Sequence, residues 1–225
     1  MAVITVSREA GTGGTQIAQE VAQALGYHFA DRNIAIEVMK EFGFSRFEEE
    51  FDSKSRLRLD LVRSPQERSE KKAMVDMLPQ ISLALAYHGN VVILGRGSYA
   101  VLGGRADVLN VRVQAPFGNR VERFMERRDI ERGEAEALVR ERDEVRGAFV
   151  RSWYGAKVDD TCLFDLVIDT SKIPSDVAVR WLVEEARLLE NRKKSASERT
   201  TESIEVDPAL VSWVNKQIGC ELTHR

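Results

Sequence analysis

The sequence predicts an α/β fold in which a five-stranded parallel sheet lies between helices on both faces. Two observations carry this prediction. Short apolar runs alternate with longer amphipathic segments along the first 190 residues, and a glycine-rich turn joins the first strand to the first helix. The run VVIL at 91–94 is continuously apolar, as expected of a central strand covered on both sides. The predicted strands are 2–6, 27–30, 90–94, 108–113 and 163–168.

The helices are predicted from apolar residues that recur every three or four positions. They cover the amphipathic run that carries Ile17, Val21 and Leu25, residues 34–42, 74–87 and 175–190, and a long arginine-rich stretch, 117–151, that is interrupted near Gly133. Pro79 is expected either to kink its helix or to lie in the first turn of a helix that starts later. Residues 43–72 are charged and rich in helix formers, which favours one or two exposed helices of a mobile subregion.

The chain is expected to form one domain, residues 1–190, followed by a linker and an appendage. Residues 191–205 are charged and small and show no periodicity, which is typical of a linker. Residues 206–225 are expected to form a helical appendage, with the helix at 206–219. That helix could dock on the domain, pair with another chain, or begin a further unit.

Composition excludes several classes of function. The net charge of -3 argues against general affinity for nucleic acid, and no run of eighteen apolar residues predicts a membrane span. Arg8 and Glu9 interrupt the apolar start too early for a signal peptide, so a cytoplasmic protein is expected. Cys162 and Cys220 lie far apart without a metal-binding pattern, so neither a disulfide nor a zinc site is expected. The oligomeric state is left open.

The turn after the first strand is typical of a phosphate-binding loop that lacks its lysine. In the pattern GxxxxGK[ST], residues 8–15 read REAGTGGT, which places Thr15 on the magnesium-binding hydroxyl and Gly14 on the lysine. Glycine-rich backbone and a helix N-terminus both suit the phosphates of ATP. An ordinary strand–turn–helix connection is the alternative. The candidate phosphate-binding residues are Gly11, Thr12, Gly13, Gly14 and Thr15.

Arg8 is expected to replace the missing lysine on the β- and γ-phosphates as an exposed loop arginine, or else to be a surface arginine at a strand end. Glu9 could orient Arg8, lie near magnesium, or be a solvated loop acid. Asp31, Arg96 and the arginine-rich stretch also follow strand ends, where ligands bind in parallel sheets. In that stretch, Arg120, Arg123 and Arg127 are spaced for a shared helical face. The alternative there is a solvated helix with Glu122 and Glu126.

Three aromatic or acidic positions have a plainer interpretation. Asp169 is expected to cap the turn that follows the last strand, at Thr170 and Ser171. Trp153 and Tyr154 are expected to pack in the core or the lid, although either ring could stack on a nucleobase.

Four segments together resemble the cytidylate kinase-like family, which is related to bacterial cytidylate kinase in the nucleoside monophosphate kinase group of P-loop proteins. They are ITVSREAGTGGTQIA, GYHFADRNI, VVILGRGSYAVL and FDLVIDTS. Members typically carry Ser-Arg-Glu ahead of the glycines and no lysine in the loop. The resemblance covers about residues 1–190. It implies a P-loop kinase-like three-layer fold, a monophosphate-binding region at 32–88 and an arginine-bearing lid at 120–160.

The implied reaction is transfer of the γ-phosphoryl group of ATP to a nucleoside monophosphate, with Mg²⁺. Phosphoryl transfer depends mostly on positioning and on cancelling negative charge, which arginines around a cleft provide. The lid pattern Asp-x-x-Arg matches Asp143 and Arg146. The resemblance implies that Asp143 helps to place the acceptor and that Arg146 stabilises the transferring group, with Arg142 a lesser lid residue. The alternative is a simple ion pair one helical turn apart.

Arg96, in GRG after a buried strand, is expected to bind the acceptor phosphate, or else to pair with a carboxylate at the sheet edge. The resemblance implies that Asp31 contacts the acceptor, but this sequence departs from cytidylate kinases next to Asp31. Their Asp-Ser pair is Asp31-Arg32 here, and their later arginine has no counterpart. The acceptor could therefore be CMP or dCMP, or another small molecule. A regulatory nucleotide-binding module without catalysis and a protein with an interaction role alone are the remaining hypotheses.

Overall fold

A computed structural model describes residues 1–44 and 65–219. Five parallel strands form one sheet in the order β2-β3-β1-β4-β5. The predicted α/β class and all five strands are confirmed, with shifts of one to three residues at their ends. The strands are β1 (Val3–Arg8), β2 (His28–Ala30), β3 (Val91–Leu94), β4 (Val108–Gln114) and β5 (Leu166–Asp169).

The helices lie in the order that the sequence predicts. They are α1 (Gly14–Leu25), α2 (Arg32–Glu41), α3 (Pro65–His88), α4 (Ser98–Leu102), α5 (Phe117–Arg128), α6 (Arg132–Tyr154), α7 (Ser175–Asn191) and α8 (Pro208–Gln217), with 3₁₀ turns at Thr161–Leu163 and Thr201–Ser203. The short α4 was not predicted. The expected interruption of the arginine-rich stretch lies before Gly133, where Asp129 adopts a left-handed conformation with φ 53°.

Pro79 does not lie in a first turn, because α3 already begins at Pro65 and continues past it. Proline removes one backbone hydrogen bond from a helix interior. Here the neighbouring Leu78 and Ile81 are buried in the core, and this packing stabilises the helix on both sides of Pro79. The expected exposed helices at 43–72 lie mostly outside the described residues.

The sheet separates two apolar cores, which makes the fold three-layered as predicted. Alternate residues of β1 point to opposite faces: Val3 belongs to one core and Ile4 and Val6 to the other. The first core is built with α2, α3 and α8, and the second with α1 and α7. A third, small cluster joins Ala10 of the glycine loop to α5 and α6.

The segment expected to be a linker is fixed to the body of the protein. Residues 192–207, here called the C-terminal strap, run past a buried carboxylate, Asp107, which is 2% exposed. The N–H and Oγ1 of Thr201 donate to this carboxylate at 2.9 and 2.8 Å, and Nζ of Lys194 lies 3.6 Å away. Beyond the strap, Leu210 and Val214 of α8 are buried in the first core. Of the three arrangements expected for 206–219, docking on the domain is therefore the one observed.

Among the described helices, none has the length and apolar character that a bilayer crossing requires. Cys162 is exposed and unpaired with any described residue, and Cys220 lies outside the described range.

Candidate active site

The loop between β1 and α1 is shaped to hold an anion. Gly13 precedes α1 in a left-handed conformation, with φ 77°, and caps it with no side chain. The buried hydroxyl of Thr12 donates to the Glu9 carbonyl at 2.9 Å and accepts from the Gly14 N–H at 3.3 Å. In the described part of the chain, no oxygen accepts a hydrogen bond from the N–H of Gly11 or Gly13. These donors and the positive end of the α1 dipole suit a phosphate group.

Arg123 supports this loop from the side of β5. Its guanidinium donates to the Thr170 carbonyl at 2.7 Å and to the Thr170 hydroxyl at 2.9 Å. The same hydroxyl donates to the Thr12 carbonyl at 2.9 Å. In this structure Arg123 therefore holds the back of the glycine loop through Thr170.

Position 14 has no space for a lysine. A Cβ atom at Gly14 would lie 2.7 Å from Cβ of Arg8 and 3.2 Å from Cβ of Val113. β1 extends two residues further than predicted, so that Arg8 pairs in register with Val113 and its side chain packs under the start of α1. Arg8 therefore occupies the space that a side chain at position 14 would need, so Arg8 and a loop lysine exclude each other.

The expectation that Arg8 is an exposed loop arginine is wrong. Burial, followed by the like charges of Arg146 and Arg96, lowers the pKa of Arg8 to about 9, while Asp31 acts in the opposite direction. The Nε of Arg8 has no hydrogen-bond partner among the described residues. A buried guanidinium surrounded mainly by like charge is costly unless an anion compensates it. The cluster of Arg8, Arg96 and Arg146 is therefore a candidate anion-binding site.

Glu9 neither orients Arg8 nor lies free for a metal. Its carboxylate accepts from Arg112 at 3.3 Å and from the Ala115 N–H at 3.3 Å, and it lies 3.4 Å from Nε of Arg120. Arg112, which the sequence analysis missed, also donates to the hydroxyl of Ser7 at 2.9 Å across the β1–β4 pair. A charged residue between two valines of the predicted strand VLNVRV was the signal that could have revealed it.

Asp143 reaches the glycine loop from the middle of α6. Its carboxylate accepts from the N–H of Ala10 at 2.8 Å and from Arg120, and it lies 3.5 Å from Arg146. Arg120 also donates to the Ala10 carbonyl at 3.1 Å. The hairpin expected to be a lid is packed on the loop here, because Ala10 shares a buried cluster with Val121, Phe124, Ala135 and Val139.

Arg146 lies beside this carboxylate, and its positive charge also acts on Arg8. Burial is the main cause that lowers the pKa of Arg146, and Asp143 opposes the change. Asp143 and Arg146 thus form an ion pair one helical turn apart, as the plainer interpretation expects. This ion pair lies against the glycine loop, because Asp143 also accepts from Ala10.

The expected shared face of Arg120, Arg123 and Arg127 is only partly observed. Arg120 is 7% exposed and Arg123 faces the loop, whereas Arg127 is exposed at the end of α5. Arg142 is exposed as well, with its guanidinium 5.3 Å from the centre of the Phe124 ring. The structure therefore leaves Arg127 outside the arginine cluster, whereas the charge of the exposed Arg142 acts on Arg146.

The loop after β3 brings Arg96 to the cluster in an unusual backbone conformation. Gly95, Arg96 and Gly97 all have positive φ, at 81°, 59° and 69°. The Arg96 guanidinium lies 5.9 Å from the centre of the Phe149 ring of α6. Asp31, at the end of β2, caps α2 by accepting from the N–H of Asn33 at 2.8 Å, and its charge also acts on Arg8.

The described residues could hold Mg²⁺ only when phosphate oxygens of a bound nucleotide supply most of its ligands. Thr15 is exposed at the first turn of α1, where its hydroxyl could ligate such an ion. Within residues 1–44 and 65–219, no three His, Cys, Asp or Glu side chains cluster as a metal site. Mg²⁺ commonly binds through few protein ligands together with substrate phosphates and water.

Two plainer expectations are confirmed. Asp169 accepts from the N–H of Ser171 at 2.8 Å and so caps the turn after β5. Trp153 and Tyr154 pack against the first core.

Comparison with known proteins places these features in a family. The family model described as the cytidylate kinase-like family matches residues 3–172. The cytidylate kinase of Pyrococcus horikoshii is 32% identical over 171 residues, which cover 76% of this chain and 80% of that protein. The cytidylate kinase of Methanocaldococcus jannaschii is 28% identical over 173 residues, covering 76% of this chain and 89% of that protein. In fold, an uncharacterized protein from Eubacterium ventriosum is similar with a TM-score of 0.63 and 16% identity, covering 85% of this chain and all of that one.

Proposed function

The chain belongs to the cytidylate kinase-like family of phosphotransferases, and we propose that it transfers the γ-phosphoryl group of ATP to a nucleoside monophosphate. CMP and dCMP are the proposed acceptors, because the similar archaeal proteins are cytidylate kinases. The single observation that supports this most is the cluster of Arg8, Arg96 and Arg146 beside the glycine loop.

The glycine loop is the proposed donor side of the site. The N–H groups of Gly11 and Gly13, together with the N-terminus of α1, would hold the β- and γ-phosphates of ATP. Thr15 would hold Mg²⁺ with phosphate oxygens and water, and the ion would supply further neutralisation of the phosphate charge. Arg8 would take over the charge of the absent loop lysine from beneath the loop, since Gly14 has no space for a side chain.

The arginines are proposed to act on the transferring group and on the acceptor. Phosphoryl transfer spreads negative charge over the equatorial oxygens, and fixed positive charge in a site that excludes water stabilises it strongly. The Arg8 side chain extends from Gly14 to Gly95, and Arg146 lies beside Asp143, so both would face the transferring phosphoryl group while Arg96 binds the acceptor phosphate. That phosphate is already largely ionised near pH 7, so the transfer needs no side chain as general base.

A bound anion would also offset the electrostatic cost of the buried arginines. Three guanidinium groups share this region, and burial lowers the pKa values of Arg8 and Arg146. A phosphate oxygen could accept a hydrogen bond from the unpartnered Nε of Arg8, and the negative charge of the phosphate would offset the repulsion between the arginines.

The test is a panel of acceptors supplied with ATP and Mg²⁺, scored by release of ADP and by a phosphorylated product. The panel contains the common nucleoside monophosphates in ribose and deoxyribose form, and small metabolites that carry a hydroxyl or a phosphate. Turnover with CMP or dCMP above all others is the expected result. Turnover with a metabolite instead would show a kinase of another acceptor. Calorimetric binding of ATP without any turnover would favour a regulatory module.

A further inference from the structure

The last turn of α6 lies against the Arg96 loop. A Cβ atom at Gly97 would lie 2.6 Å from Cδ2 of Tyr154, and closer still to its Cε2, so the ring covers the backbone of Gly97 directly. Tyr154 in turn meets the ring of Phe149 edge to face, with 5.8 Å between ring centres. Phe149 is the ring over which the Arg96 guanidinium lies. Residues 149–154 of α6 therefore touch both the backbone and the side chain of this loop.

The backbone of this loop needs external support. Three consecutive residues with positive φ are rare, and Arg96 carries a side chain that disfavours the left-handed region. Such a conformation persists when surrounding packing over-determines it. On one side, Gly95 approaches the Arg8 guanidinium so closely that a Cβ there would overlap it. On the other side stands the Tyr154 ring.

We propose that Tyr154 is a positioning residue, which fixes the Arg96 loop so that the Arg96 guanidinium faces Arg8 and Arg146. The inference rests on the proposed function to the extent that Arg96 is taken to bind the acceptor phosphate. The support comes from the ring and not from the hydroxyl, because ring carbons make the contact with Gly97. Burial raises the pKa of Tyr154, so its hydroxyl stays protonated at neutral pH and adds no charge to the site.

The position of Tyr154 also links the two halves of the site. Asp143, earlier on the same helix, accepts from Ala10 of the phosphate loop, and Arg146 lies near Arg8. Phe149 and Tyr154 then contact the acceptor-side loop. Because one continuous helix carries all four residues, α6 sets the distance between the phosphate loop and Arg96. Loss of the Tyr154 ring should therefore weaken the acceptor side and leave the donor side in place.

The test compares Tyr154→Ala, Tyr154→Phe and Trp153→Ala. Trp153 is a matched control, because it is the neighbouring aromatic residue of α6 and packs against the same core. The first measurement is the backbone amide spectrum of the ¹⁵N-labelled protein, which reports on Gly95, Arg96 and Gly97 whether or not the protein is a kinase. The second is the pair of KM values for ATP and for the acceptor, with kcat.

In Tyr154→Ala, we expect the amide signals of residues 95–97 to shift or broaden and the acceptor kcat/KM to fall by about 10²-fold, because misplacing a binding group by about 1 Å has that effect. The KM for ATP should stay close to the wild-type value. Tyr154→Phe keeps the ring, so its loop amide signals and its acceptor kcat/KM should match those of the wild type. Trp153→Ala should leave the loop amides in place.

Unchanged amide signals of 95–97 in Tyr154→Ala would overturn the inference regardless of activity, as would equal effects of Tyr154→Ala and Trp153→Ala. If the loop amides respond as expected but the wild-type protein phosphorylates no acceptor, the positioning role stands and the proposed function fails.

Discussion

Replacing Arg8 by methionine should make the protein more stable and strongly reduce its turnover. The guanidinium is buried at the end of β1, near the like charges of Arg96 and Arg146, and its Nε has no partner among the described residues. Methionine keeps a long flexible side chain that can fill the same space without the charge. Under the proposed function, Arg8 would therefore be a group that lowers stability and that turnover requires.

The size of the effect follows from the electrostatics of the site. Lowering the pKa of Arg8 from 12.5 to about 9 corresponds to a cost of about 5 kcal/mol for the charged form. Water still reaches part of this side chain, and buried charges replaced by apolar groups typically give a gain of about 1–4 kcal/mol, which is the expected range at pH 7.

The lowered pKa of Arg8 also determines how the stability difference between wild type and variant changes with pH. Between pH 9 and 12.5 the unfolded chain binds more protons at this position than the folded protein. The stability of the wild-type protein should therefore rise, relative to the variant, as pH increases above 9. Below pH 9 Arg8 is charged in the folded and in the unfolded protein, so the wild type carries the full cost of burying this charge.

The assay is denaturant-induced unfolding at pH 7 and pH 10, together with turnover under the conditions that the acceptor panel identifies. Arg180→Met is the control, because the Arg180 side chain is 70% exposed and its removal should change stability little. A saturating anion such as ATP at about a hundredfold its Kd should stabilise the wild-type protein by about 2.7 kcal/mol. An Arg8→Met protein that is less stable than the wild type, or one that retains full turnover, would refute the reasoning.

Three further predictions concern the loop, α6 and the strap. Arg146→Ala should lower kcat by about 10³-fold or more while the Kd for ATP changes little. Arg140 is exposed, so Arg140→Ala should change kcat little. Similar kcat values for the two variants would place Arg146 outside the site. Gly14→Lys should not improve turnover but lower the free energy of unfolding by about 1–3 kcal/mol, because its Cβ would lie 2.7 Å from that of Arg8; a stable and faster enzyme would contradict the packing argument. Asp107→Asn should cost about 1–3 kcal/mol of stability by leaving donors of the strap unsatisfied, with turnover at saturating substrate retained; unfolding that matches the wild type would show that the strap is not held by this carboxylate.

Several features of the candidate site could be predicted because they are local in sequence. The strand, glycine turn and helix at residues 3–25 are visible in a single window, and so is the pair Asp143 and Arg146, one helical turn apart. Arg96 could be singled out because it lies between two glycines directly after an apolar strand. In each case the signal is a short pattern whose geometry is fixed by the backbone period alone.

Other features could not be predicted, because they depend on which segments meet in space. Arg112 reaches Ser7 and Glu9 only through the register between β1 and β4, over a separation of more than 100 residues. Arg127 has the same spacing as its neighbours on α5, but the glycine loop packs beside the earlier turns that carry Arg120 and Arg123, and Arg127 in the last turn is exposed. The composition of the strap is typical of a linker, yet the buried carboxylate of Asp107 and hydrogen bonds to Arg105 and Ala106 hold it in place.

The sequence by itself determined the order of strands and helices, the glycine loop without a lysine and the excess of arginine near strand ends, since these follow from periodicity and residue type. Tertiary structure alone decided that Arg8 is buried beneath Gly14, that Glu9 is paired with Arg112 and Arg120, and that Tyr154 supports the Arg96 loop. The physical reason is that burial and charge pairing are properties of neighbours in space. Neighbours from β1, β4 and α6 come together only when the parallel sheet and its helices have formed.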